Sequence, residues 1–174
     1  MDRRALAPRD SRVLRTGAVV VALLRVDAAA LAADCPPPQQ TLFACATAAK
    51  TISVCGSPDL TATTGALQYR LRGRSTLELA YPPAGADWRA VTSAGTLTFS
   101  GGGGAFLAFS RAPYRYVVYS AIGRGWGSKA GVAVEKNGKR IANLACKGEA
   151  RSELGPELFS RAGIASSEDG FELP

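Results

Sequence analysis

Histidine is absent from all 174 residues. That absence removes the Ser–His and Cys–His nucleophile pairs and every histidine metal ligand. The four cysteines, Cys35, Cys45, Cys55 and Cys146, lack the C-x2-C knuckles of a zinc site. The glycine run at Gly101–Gly104 lacks the Gly-Lys-Ser/Thr ending of a phosphate loop. No apolar run comes near the roughly 20 residues a spanning helix needs. No segment before residue 150 carries a convincing helical period. No cofactor and no metal is expected. The carboxylates Asp59, Glu78, Asp87 and Glu135 are scattered, and no motif pairs them as a glycoside hydrolase requires. Lys50 reads as a solvated lysine.

What is present begins with a leader. Arg3, Arg4, Arg9, Arg12 and Arg15 precede the apolar run Gly17-Ala-Val-Val-Val-Ala-Leu-Leu24, and Ala30-Leu31-Ala32 closes the segment. A basic region, a short apolar region and an A-x-A site make a signal peptide of residues 1–32. The mature chain, 33–174, then holds 15 basic and 11 acidic residues, a net charge of +4 rather than +7. Much of the basicity leaves with the leader, and with it the case for nucleic-acid binding. The remainder is long enough for one domain.

An even number of cysteines in an exported chain predicts two disulfides, with three possible connectivities. The favoured pattern is Cys45–Cys55 with Cys35–Cys146. The first would close a hairpin. The second would brace the start of the mature chain against a late strand.

Strand-like runs fall at 41–47, 50–56, 66–72, 76–81, 95–100, 105–110, 113–120, 130–136 and 139–146. Short alternating runs split by Gly, Pro, Ser and Asn predict an all-β antiparallel meander of eight or nine strands, a small barrel or sandwich. A short helical turn is expected within Gly155–Arg161, with Pro156 at its first position. Two hairpins have testable registers. A loop of Gly73-Arg74-Ser75 pairs Leu71 with Leu77, Tyr69 with Leu79, and Leu67 with Tyr81, setting Arg70 beside Glu78. A type I′ turn at Asn137-Gly138 pairs Val134 with Ile141 and Glu135 with Arg140, the last pair on a solvated face. Gly101–Gly104 reads as a flexible hairpin tip that brings Phe99 near Phe106. An anion-binding nest is the rival reading there.

The better functional case is binding. Gly123-Arg-Gly-Trp-Gly-Ser-Lys129 sets one large aromatic among glycines, between two cations. Trp126 either folds back onto the domain or presents to a partner, with Arg124 and Lys129 beside it. A ring with cations suits a sugar, an anionic glycan or a protein. Trp88, in the connection Pro82–Gly95, is a second candidate. Tyr114-Arg-Tyr-Val-Val-Tyr119 puts Tyr114 and Tyr116 on one face and Arg115 and Tyr119 on the other.

The set Cys45-Ala-Thr47, Lys50, Ile52-Ser-Val-Cys55-Gly56, Gln68-Tyr-Arg70, Glu78-Leu-Ala-Tyr-Pro82, the glycine-rich stretch to Phe106, Tyr114–Tyr119, and Gly131-Val-Ala-Val with Gly138-Lys and Leu144-Ala-Cys146 resembles a group of small exported proteins of Gram-negative bacteria. The resemblance covers about residues 43–147. It implies export and a single β-rich domain, and it transfers no catalytic residue. Three functions are therefore open for a periplasmic or secreted protein. One is a non-catalytic module for an envelope ligand, glycan or protein. Another is an inhibitor of a secreted hydrolase, lysozyme or protease. The last is a hydrolase built on carboxylates alone.

Overall fold

A computed structural model of the chain describes residues 35–174. The leader expected over 1–32 lies outside the described residues. The fold is all-β. The first sheet runs β10-β1-β2-β3-β4, from β1 (Gln40–Ala46), β2 (Thr51–Gly56), β3 (Leu67–Arg72), β4 (Leu77–Tyr81) and β10 (Arg151–Ser152). The second runs β5-β6-β7-β8-β9, from β5 (Thr92–Phe99), β6 (Gly102–Arg111), β7 (Tyr114–Gly123), β8 (Gly127–Lys136) and β9 (Lys139–Ala145). All pairs within the sheets are antiparallel, and the sheets do not close into a barrel.

Alternation explains the packing. Phe43, Ile52, Val54 and Tyr69 of the first sheet share one core with Leu107, Phe109, Val118 and Val132 of the second. Tyr69 stacks 5.5 Å from Tyr116 and lies 5.8 Å from Phe109. The helix α1 (Pro156–Ala162) adds Leu158, Phe159 and Ala162 to that core. Pro156 opens it, and Gly163 closes it in the left-handed conformation at φ 62°.

The disulfides are Cys35–Cys55 and Cys45–Cys146, not the favoured pattern. Register is the reason. Cys45 stands opposite Ile52 and faces the core, whereas Cys55 stands opposite Thr41, towards the far end of the hairpin. Those positions are about four residues apart along the ladder, roughly 14 Å. Cys55 instead meets the proline-rich lead-in at Cys35. Cys45 reaches Cys146 just beyond β9 and joins the two sheets. No cysteine is free among the described residues. Two disulfides point to an oxidising, non-cytoplasmic compartment.

Both hairpin registers shift at a bulge. Leu71 pairs with Leu79 and Tyr69 with Tyr81, so Arg70 stands beside Ala80 and not Glu78. Glu78 is the extra residue between Leu77 and Leu79. It turns out to ion-pair with Lys50. A Cβ on Gly73 would meet the Glu78 carboxylate at 2.5 Å, a contact that the flexible glutamate can relieve by moving. Beyond the bulge Leu77 faces solvent, 41% exposed, although alternation alone placed it in the core. In the second hairpin Asn137 and Gly138 both have positive φ, 50° and 74°, as a type I′ turn demands. Glu135 pairs with Arg140 as expected, but Ile141 is the bulged residue and Val134 pairs with Ala142.

Gly102, Gly103 and Gly104 are not a flexible tip. They are strand residues, paired with Phe99, Thr98 and Leu97 on one side and with Gly123, Ile122 and Ala121 on the other. Phe106 stands opposite Gly95, not Phe99. A Cβ on Gly104 would press on Ala121 and the Ser120 carbonyl, both at 2.5 Å. Ladder hydrogen bonds and close approach hold this run, so its flexibility is lost.

Tyr69 is fully buried, and its hydroxyl has no hydrogen-bond partner. Burial pushes its pKa up, and Tyr116 and Glu78 add to the rise. An unpartnered buried hydroxyl destabilises the fold. Tyr69→Phe is therefore expected to stabilise the protein by about 1 kcal/mol. The unfolded tyrosine ionises first, near pH 10. Stability is thus complete below about pH 10 and falls as pH rises towards the folded-state pKa. Tyr69→Phe should reduce that alkaline loss. Urea unfolding at pH 7 and above pH 10 tests both; a less stable variant at pH 7 would show that a water satisfies the hydroxyl.

Candidate functional site

Alternate residues of a strand share a face, so the registers line up rows across the outer side of the second sheet. Gly95, Phe106, Tyr119 and Gly131 form one row. Leu97, Gly104, Ala121 and Lys129 form the next, and Phe99, Gly102, Gly123 and Gly127 the one after. Small residues floor these rows because rings lie across them. A Cβ on Gly95 would come within 2.6 Å of the Phe106 ring, and one on Gly123 would overlap the Trp126 ring. One on Gly131 would lie 2.9 Å from the Tyr119 hydroxyl.

Trp126 folds back in part. Its ring lies 5.5 Å from Phe99 and covers Gly123, yet the residue stays 39% exposed. Lys129 Nζ stands 5.4 Å from the ring centroid and donates to the Pro174 carbonyl at 2.8 Å. Arg124 does not join them. Its side chain lies against Gly101, and its N–H donates to the Gly101 carbonyl at 2.9 Å. Trp88 belongs to the core, at 2% exposure, so it offers no ring to a ligand. Its Nε1–H donates to the Gly65 carbonyl at 3.0 Å, and the Arg89 guanidinium covers the ring at 4.1 Å. The long connection had made it look available; a buried indole with its N–H satisfied is a packing residue.

A cavity of about 460 Å³ adjoins Lys129. Strand β9 ends at Ala145 opposite Gly131, which leaves Gly127–Lys129 as a sheet edge. The cavity draws on both faces beside that edge. Tyr119, Ala121 and Lys129 come from outer positions, Ser120, Ser128 and Ala130 from inner ones, and Asn143, Glu149 and Pro174 complete the wall. The Tyr119 hydroxyl donates to Asn143 Oδ1 at 2.9 Å. Burial raises its pKa, while the Asn143 bond and Arg140 pull it back. At neutral pH it is a fixed, protonated phenol.

The sequence pointed to Lys129 and Tyr119 of this wall and to Trp126 outside it. Ser120, Ser128 and Asn143 are ordinary strand residues that only the register assembles.

The site offers a ring face, an ammonium, hydroxyls, an amide and, from Glu149 in the wall, one carboxylate. The carboxylates stand apart from one another. Glu78 is paired with Lys50, Asp87 accepts the Arg89 N–H at 3.0 Å, Glu135 is bound to Arg115, and Asp59 lies exposed in a turn. Among the described residues no group of Cys, Asp and Glu is placed to hold a metal, and no helix is long and apolar enough to cross a membrane.

By class this is a disulfide-braced antiparallel β-sandwich with a ring-and-cation site at one end of its second sheet. No family model, curated protein or solved structure matches the chain.

Proposed function

We propose that the protein is an exported, non-catalytic binding module, periplasmic or secreted, whose ligand is an acidic glycan held by Trp126 and Lys129. The observation that carries this reading is a tryptophan left 39% exposed with an ammonium 5.4 Å from its ring, beside a 460 Å³ cavity. A sugar ring stacks on an indole face, and an ammonium recognises its carboxylate or phosphate. The hydroxyls of Ser120 and Ser128 lie within reach of the same cavity wall. A net charge of +4 on the mature chain supports an anionic ligand. The disulfides and the resemblance to small exported proteins support the compartment.

Titration with uronic-acid oligosaccharides, followed by tryptophan emission, tests the reading. Trp88 is buried, so a shift in emission reports Trp126. Saturable binding is expected, and Trp126→Ala, titrated by calorimetry because the reporter ring is gone, should weaken it about tenfold, the equivalent of ~1.4 kcal/mol. Lys129→Ala should remove the preference for charged over neutral sugars. Binding that survives both substitutions would place the ligand elsewhere.

A further inference from the structure

The outer face of the second sheet carries a second apolar cluster, separate from the core between the sheets. Phe106, Ala108, Val117, Tyr119 and Ala133 form it, and Phe171 completes it from the tail. The Phe171 ring lies 5.4 Å from Phe106 and 5.6 Å from Tyr119. Leu173 packs on the same cluster. Phe171 and Leu173, two residues apart, thus both turn towards the sheet.

The way the tail is held matters. Its start is tied by backbone bonds: the Ala94 N–H donates to Ala165, and the Ser167 N–H donates to Ala94. Beyond that, among the described residues, no backbone–backbone hydrogen bond joins residues 168–174 to the sheet. Side chains of the sheet grip it instead. Arg140 donates to the Glu172 carbonyl at 2.6 Å, Lys129 to the Pro174 carbonyl at 2.8 Å, and Arg115 to the Ser167 hydroxyl at 3.2 Å. The tail bears Glu168, Asp169 and Glu172 and no basic residue. Its seat presents Arg115, Lys129 and Arg140. Both disulfides and the inter-sheet core lie outside the segment.

This is how a receptor holds a peptide: one apolar pocket, and donors on the peptide's carbonyls. We propose that this face is a docking groove for an acidic, extended polypeptide carrying Phe-x-Leu, and that the chain's own tail occupies it until a partner protein presenting such a segment displaces it. The groove shares Lys129 with the glycan site, but its test rests on Phe171, Leu173, Phe106 and Arg140, which the glycan reading does not use. The tethered tail competes at an effective concentration in the millimolar range. A partner therefore needs either high affinity or a high local concentration.

The probe is a fluorescein-labelled peptide of residues 166–174, added to the full chain and to its Phe171→Ala/Leu173→Ala variant. The variant should bind the peptide at least tenfold more tightly than the unaltered chain. Adding Arg140→Ala or Phe106→Ala to the variant should abolish binding, and a peptide of the same composition with the Phe-x-Leu spacing broken should not bind. Peptide mapping under non-reducing conditions confirms that each variant keeps both disulfides; Arg140→Ala, on the surface, stands if Phe106→Ala misfolds. No binding to the variant overturns the proposal. So does equal binding of the two peptides, or equal affinity for the two chains. An unaltered chain that dimerises, and loses the dimer with Phe171→Ala, would make a second copy the occupant and overturn the choice of a separate partner.

Discussion

Replacing Cys45 and Cys146 together by alanine is expected to destabilise the protein by about 4.7 kcal/mol, against about 3.3 kcal/mol for Cys35 and Cys55. The difference follows from loop length. The first bridge closes 101 residues and the second 20. A longer loop removes more entropy from the unfolded chain when it is closed. Position adds to the effect. Cys45 is buried in the core face of β1, and its bond to Cys146 is the covalent tie between the sheets. Cys35–Cys55 only pins the lead-in to β2. Urea unfolding of the two double variants measures both quantities. If the Cys35/Cys55 variant proves the less stable, unfolded-state entropy does not govern these bridges, and the lead-in has a packing role that loop length misses.

Strand positions were legible because alternation has a period of two, and most strand ends fall within three residues of the expected ones. The same period hid the bulges. At the first hairpin the core-side faces of Leu79 and Tyr81 survive with new partners, Leu71 and Tyr69. At the second the bulge flips β9, and Ala142 and Leu144 stand opposite Val134 and Val132. Leu77 and Ile141 are exposed where alternation promised burial or pairing. The disulfide map failed for a related reason. A separation of ten between Cys45 and Cys55 fits a hairpin by length, but the Thr47–Lys50 turn is centred close to Cys45 and throws Cys55 to the far end. The glycine run was misread because composition shows freedom and not what surrounds it. Within a sheet, Gly102 and Gly104 are needed where backbone and side chains crowd. At the site, local sequence found Trp126 and Lys129, four residues long from ring to cation. It overreached at Arg124, whose side chain leans away onto Gly101 of the neighbouring turn, and at Trp88, which long-range packing buries. Ser166–Gly170 is polar throughout, and Phe171 outweighs that composition once Phe106 and Tyr119 form its pocket.

Arg115→Ala is expected to cost about 3 kcal/mol, far more than an exposed ion pair. The sequence had placed Glu135 with Arg140 on a solvated face, yet its bonded partner is Arg115, directly across β7 and β8, at 2.9 Å. The side chains of Arg115 and Glu135 keep only 14% and 13% exposure. The guanidinium also lies 5.9 Å from the Phe106 ring and donates to Ser167. Removing it leaves a carboxylate with little water and without its bonded partner, and that desolvation dominates the loss. Arg115→Met with Glu135→Leu should therefore recover most of the stability, because the pair disappears together with its desolvation penalty. Ser167→Ala should cost well under 1 kcal/mol, since it removes one long hydrogen bond at an exposed end of the network. Urea unfolding of the three variants separates the contributions. A loss below 1 kcal/mol for Arg115→Ala would mean that water reaches Glu135 freely, and hence that the tail lies open over the outer face in solution. A loss near 3 kcal/mol, recovered by the double replacement, would mean that the tail is closed over the pair, and that a partner seeking the groove must first displace it.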